Sequence, residues 1–146
     1  MREILFRGKW KGTNVWLYGE LICASDKERI AIGTQDDHTA EIEYDTAGQY
    51  TGLQDKNGNK IFEGDVIHSK RRNYLVTFRD GMFYASVEDC NEHIYGGFPL
   101  HALTTTADND RLCEIVGNRY DNPNLIINDI RNGRNRKNKN NSKRVD

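Results

Sequence analysis

Residues 50–68, Tyr-Thr-Gly-Leu-Gln-Asp-Lys-Asn-Gly-Asn-Lys-Ile-Phe-Glu-Gly-Asp-Val-Ile-His, pack three glycine-dependent bends and the entry to a buried strand into one short stretch. Asp55-Lys-Asn-Gly58 is a tight-turn signal: an Asp side chain bonds to backbone two residues on, and Asn57 and Gly58 tolerate positive φ. Ile61 and Phe62 then bury apolar area, Gly64-Asp65 bends the chain again, and Val66-Ile67 opens a strand. Gly52, Asp55, Gly58, Glu63, Gly64 and Asp65 are therefore read as a structural motif of bends and capping carboxylates. Such a segment is architecture, not a reaction centre.

The flanking sequence extends this pattern into a chain of short strands. Residues 15–22 are rich in strand formers and follow a Gly-Thr-Asn turn, which predicts a hairpin with residues 4–6. Residues 30–33 form a short apolar run and residues 41–44 alternate with period two, so both are expected as short strands. The clearest hairpin joins residues 74–79 to 82–87 across Asp80-Gly81, a pair suited to a two-residue type I′ turn. One helical turn is expected at residues 99–103, with Pro99 at its start, and a last strand at residues 111–116, ending at Gly117-Asn118. Leu125, Ile126, Ile127 and Ile130 are expected to dock as a short helix or strand.

The chain is 36% hydrophobic, which is polar for a globular protein, so its seven Tyr, five Phe and two Trp are needed to build a core. Trp16, Tyr18, Phe78, Phe83 and Phe98 are assigned to it. A length of 146 residues suggests one domain, or one domain with a small appendage. Three widely spaced cysteines, Cys23, Cys90 and Cys113, with no Cys-x-x-Cys and no signal peptide, point to a reducing cytoplasm. No apolar run approaches the roughly 20 residues of a membrane span, so no membrane partner is expected.

The segment from Tyr50 to Asp65 matches Y-T-G-L-x-D-x-x-G-x-x-I-[YF]-E-G-D, and so resembles the YopX-like family of phage and prophage proteins. The opening Met-Arg-Glu-Ile-Leu-Phe-Arg-Gly of residues 1–8 and the closing Glu-Ile-Val-Gly-Asn-Arg-Tyr-Asp-Asn-Pro-Asn-Leu of residues 114–125 are similar to that family's ends. The resemblance covers roughly residues 1–125 with a variable middle, and it implies a small β-rich protein with an SH3-like barrel in a bacterial host cell. It implies no established activity.

Asp55, Asn57 and Asn59 alternate like the first ligands of a calcium loop, but the sixth position is Lys60 where Gly is required, and the twelfth is Val66 where Glu is required. His38, His68, His93 and His101 lack the short paired spacings that pre-place zinc ligands. Cys90 near His93, with Asp89 adjacent, is a poor nucleophile pair, because catalytic partners usually meet through the fold. Gly96-Gly97 lies between Tyr95 and Phe98 as a bend, not a phosphate cradle. Glu41 with Glu43, and Glu63 with Asp65, share a strand face as i, i+2 pairs; the second pair is read as structural. Catalytic residues, a metal site and a cofactor are accordingly assigned to none.

Charge supplies the remaining functional signal. Residues 131–146 hold seven Lys or Arg and one acid, while residues 1–130 carry a net charge of −7. Arg131, Arg134, Arg136, Lys137, Lys139, Lys143 and Arg144 form an arm with no core-forming residue, read as disordered in isolation. Such an arm is suited to phosphate contacts with salt-sensitive affinity. The competing readings are a solubilising end, or pairing with an acidic face of the same or a sister molecule. The expected organisation is a β-rich domain over 1–128, with N-terminal strands 1–49 packed on an SH3-like barrel at about 50–120, and a basic tail over 129–146. The expected role is a non-enzymatic binding module with a protein partner or self-association; nucleic-acid association through the tail is the alternative.

Overall fold

The computed structural model describes residues 1–24, 29–36, 38–70, 72–88, 94–104 and 112–126. The chain is mainly β, and its ladders are antiparallel. The first sheet contains β1 (Phe6–Lys9), β2 (Trp16–Cys23), β3 (Ile30–Gly33), β4 (Thr39–Glu41), β5 (Gly48–Gln54) and β6 (Lys60–Phe62), in the order β4-β3-β2-β1-β5-β6. The second contains β7 (Asp65–Ser69), β8 (Arg72–Arg79), β9 (Met82–Glu88), β10 (Ile94–Pro99) and β11 (Glu114–Asn118), in the order β10-β9-β8-β7-β11.

The β8–β9 hairpin turns where its residues require. Asp80 and Gly81 both have positive φ, 51° and 79°, as a type I′ turn demands. Register then sets Arg79 opposite Met82 and Leu75 opposite Ser86. The predicted helical turn is a 3-10 turn over Leu100–Leu103, with Pro99 immediately before it and Leu100 and Leu103 buried. Residues 124–126 begin a helical turn beside β8, where Asn73 Nδ2 donates to the Leu125 carbonyl at 2.9 Å.

Several strands lie elsewhere than their residues suggested. β1 begins at Phe6, because Phe6 to Lys9 pair with Gly19 to Trp16, while Ile4 is left exposed. The period-two run 41–44 is not a strand: pairing ends at Glu41, Ile42 makes a single bridge to Trp10, and Tyr44–Thr46 is a 3-10 turn. That bridge curls the first sheet around Ile30, Ile32 and Ile42, with Phe6, Leu17 and Leu21 packed against them. β11 is displaced toward the C-terminus and carries Gly117 within it, at a register shift against β7.

The expected barrel is an open five-stranded sheet among the described residues, since no ladder joins β10 to β11. The physical reason lies in the 50–68 segment. Its turn takes the outer edge of β11: Lys56 N–H donates to the Cys113 carbonyl at 2.9 Å, and Ile115 N–H donates to Asp55 Oδ2 at 3.1 Å. Ladder pairing also carries the N-terminal layer past residue 49, because β5 and β6 belong to the first sheet and the chain crosses to the second at Glu63-Gly64.

Aliphatics supply most of the second core. Ile61, Ile67, Val76, Ala85, Leu100, Leu103 and Cys113 are buried together, with Leu53, Tyr74, Phe83, Phe98 and Ile115 packed against them. Of the aromatics assigned to the core, Phe83 and Phe98 serve there, whereas Tyr18 and Phe78 are about half exposed, at 49% and 51%. Ile61 and Leu53 come from the first sheet, so the second core is closed by a strand pair that belongs to the other sheet. Arg131 and the rest of the basic arm, Cys90, His93, Asp89 and Ile130 lie outside the described residues.

Candidate functional site

Asp55 organises the turn that joins β5 to β6. It is fully buried, and its Oδ1 accepts from the Asn57 and Asn59 amides, both at 2.9 Å. Its Oδ2 accepts from Asn59 Nδ2 at 3.3 Å and from Ile115 N–H. Burial pushes this carboxyl up, but the hydrogen bonds from Ile115, Asn59 and Asn57 outweigh it and leave the group below its usual range. A carboxylate so engaged is a four-way brace, and the calcium-like spacing of Asp55, Asn57 and Asn59 is spent on it.

Gly64 and Asp65 make the crossing between sheets. Gly64 has φ +86°, and a Cβ there would lie 2.9 Å from the Tyr120 ring. Its amide donates to the Val76 carbonyl at 2.8 Å, and its carbonyl accepts from Arg119 N–H at 2.9 Å. Asp65 Oδ2 caps the Phe62 amide at 2.8 Å, while Asp65 Oδ1 pairs with Arg7 Nη2 at 2.7 Å; both side chains are buried. Burial pushes the Asp65 carboxyl up, with the Arg7 guanidinium opposing it. Glu63 is also raised by burial, against hydrogen bonds from the Phe78 and Gln49 backbone. Gly52 and Gly58 share the left-handed conformation of Gly64, with φ of 83° and 84°.

Around Arg7 the first sheet presents an alternation of cations and rings. The guanidinium lies 4.7 Å from the Trp16 ring centre and 5.0 Å from that of Phe62, and it donates to the Glu63 carbonyl at 3.3 Å. Tyr18 meets Phe62 edge-on at 5.5 Å. Next to this stack, Asp121 accepts from Trp16 Nε1 and from Asn118 Nδ2, both at 2.9 Å, and pairs with Lys9. These bonds, led by the one from Lys9, lower the Asp121 carboxyl to about 2.

Three stretches remote in sequence thus meet in one hub: residues 1–9 through Arg7 and Lys9, residues 50–65 through Asp55 and Asp65, and residues 114–125 through Ile115 and Asp121. An open groove of about 530 Å³ runs over it. Arg7, Asn59, Lys60 and Asp65 give it polar walls, and Leu5, Tyr18, Phe62 and Ile115 give it apolar ones. The model for the YopX protein family matches residues 5–127. The chain belongs to the YopX family. Among curated proteins, none matches it. The matched span contains the hub's paired residues from Arg7 to Asp121 and all the residues that line the groove.

Other candidates do not converge. His68 Nδ1 meets Asn73 Oδ1 at 2.8 Å and His38 Nδ1 meets the Asp36 carbonyl at 2.7 Å; among the described residues no three His, Cys, Asp or Glu side chains cluster. Glu43 Oε1 accepts from the Gly12 amide and Glu41 pairs with Lys11, so these carboxylates hold the β1–β2 loop. Cys113 is buried, and burial pushes its thiol up to about 11. Gly96 and Gly97 lie within β10 against Val87 and Ser86. Arg7 and Asp121 went unnoticed in the sequence, for each is an ordinary charged residue until folding supplies its partner.

Proposed function

We propose that the protein is a phage or prophage accessory module that acts by binding, with the groove over the three-block hub as its contact surface. The observation that carries this reading is the open groove, walled by residues from all three stretches of the hub and lying within the span that the family model matches. The acidic groups beneath it are committed to structure, with Asp55 bracing the turn and Asp65 held by Arg7 and the Phe62 amide. Half-exposed Tyr18, mixed polar and apolar walls and an open shape suit a protein segment better than an enclosed small molecule.

An SH3-like body is part of the same reading. It is supported by the path of the second sheet, in which β7 to β10 form successive hairpins, a 3-10 turn follows, and β11 returns beside β7. The test is affinity capture from an induced host with the full chain, compared with Tyr18→Ser. A partner retained by the first and lost by the second, with unchanged thermal stability, is expected. A reproducible turnover by the purified protein that changing Cys90 or His93 abolishes would overturn it.

Nucleic-acid association through Arg131 to Arg144 is the second reading, favoured by the seven cations of residues 131–146. Full-length protein and a chain ending at Asp129 should be titrated with DNA and RNA from low to moderate salt. Equal, negligible binding by both removes this reading.

A further inference from the structure

We propose that the groove receives an extended peptide bearing one carboxylate side chain flanked by apolar residues, and that the chain's own Glu3 holds the carboxylate position when that peptide is absent. This rests on the binding role proposed for the groove and specifies what fills it.

The argument begins at Lys60 on β6. Its ammonium lies 5.4 Å from the Tyr50 ring centre and meets Glu3 Oε1 at 2.7 Å. Both side chains are open to solvent, Lys60 at 38% and Glu3 at 53%. An ion pair this exposed is worth at most about 1 kcal/mol, so another carboxylate can replace Glu3 at little cost. Glu3 is followed by Ile4 and Leu5, so the segment already seated at Lys60 is a carboxylate beside apolar side chains. It is lightly held: Leu5 accepts one backbone bond from Tyr50 at 2.7 Å, and Ile4 is 62% exposed.

The rest of the groove selects a single negative charge over many. Arg7 is neutralised by Asp65 at 2.7 Å and is buried, which leaves Lys60 as the accessible cation among the groove residues. A polyanion would also meet the −7 charge of residues 1–130. One carboxylate held against Lys60 escapes most of that repulsion, because exposed charges farther than about 8 Å are screened at physiological salt. Half-exposed Tyr18 and partly buried Ile115 then offer surface to flanking apolar side chains. Asn59 spends its Nδ2 on Asp55, leaving its amide oxygen to accept a peptide N–H.

The probe is an end-blocked hexapeptide with Glu between Ile and Leu, and its Gln counterpart, titrated into the full chain by amide NMR. The Glu peptide should move the Tyr18, Lys60 and Phe62 amides and bind about three- to fivefold more tightly than the Gln peptide. Glu3→Ala should tighten the Glu peptide by a similar factor. Lys60→Ala, an exposed substitution whose spectrum reports folding directly, should erase the Glu-to-Gln difference. Equal affinity for both peptides, or no shift at millimolar peptide even in Glu3→Ala, overturns the proposal. So does an oligonucleotide that moves the same amides when the Glu peptide does not. Partner capture that depends on Tyr18 but is accompanied by peptide failure would reject the peptide class while leaving the binding role intact.

Discussion

Gly64 and Asp55 show how single residues support this protein. At Gly64 a side chain meets two penalties: the left-handed φ of +86°, and a Tyr120 ring carbon 2.9 Å from the new Cβ. Left-handed backbone costs roughly 1–2 kcal/mol for a residue with a Cβ, and overpacking adds about 1–3 kcal/mol. Gly64→Val is therefore expected to destabilise by about 2–5 kcal/mol, and an unchanged thermal midpoint would refute the account. Asp55→Ala should act through unmet donors instead. The Asn57, Asn59 and Ile115 amides lose their acceptor in a buried setting, at a cost of about 1–3 kcal/mol for each amide that finds no replacement. Denaturant unfolding should place this loss near or above that of Gly64→Val, and a loss below about 1 kcal/mol would show that water replaces the carboxylate.

At the scale of elements, the segment after β11 is a clamp on the first sheet. Asn118 Oδ1 accepts from the Tyr120 and Asp121 amides, at 3.0 and 2.9 Å, and so turns Asp121 back toward Lys9 and Trp16. Because the folded carboxyl is lowered from 3.8 to about 2, its contribution is fully present above pH 4 and is lost as pH falls toward 2. Asp65 and Glu63 have the opposite sign: their raised values make stability fall as pH rises through the carboxylate range. The Trp16 indole N–H resonance isolates the clamp from these opposing groups. It should shift as pH drops from 4 to 2 in the wild type, and Asp121→Asn should abolish that transition. An identical titration in the variant would break the assignment.

Across the whole molecule, the Arg7–Asp65 pair ties strand β1 of one sheet to strand β7 of the other. Removing one member of a buried pair leaves an uncompensated charge, and such losses run to about 3–5 kcal/mol. Arg7→Met should fall in that range, since the Trp16–Phe62 sandwich keeps its packing but Asp65 loses its counter-charge. Combining it with Asp65→Asn should cost clearly less than the two single losses together. Additivity to within about 0.5 kcal/mol would mean that the sheets are not coupled through this pair.

The hairpin across Asp80-Gly81 and the bends at Gly58 and Gly64 were legible in the sequence, because turn conformation depends on a few adjacent residues and on which of them tolerate positive φ. The family, too, could be read from three short blocks. Strand ends at Phe6 and Glu41 could not, since they are set by cross-strand partners far along the chain. For the same reason Tyr18 and Phe78 were assigned to a core that they only border, composition being blind to which face of a sheet gets covered. Among the described residues, two sheets in place of a closed barrel likewise follow from tertiary contacts, where Asp55 and Lys56 take the edge of β11. Local sequence thus determined the turns and the family; the groove exists because long-range strand pairing and charge pairs bring residues 1–9, 50–65 and 114–125 together.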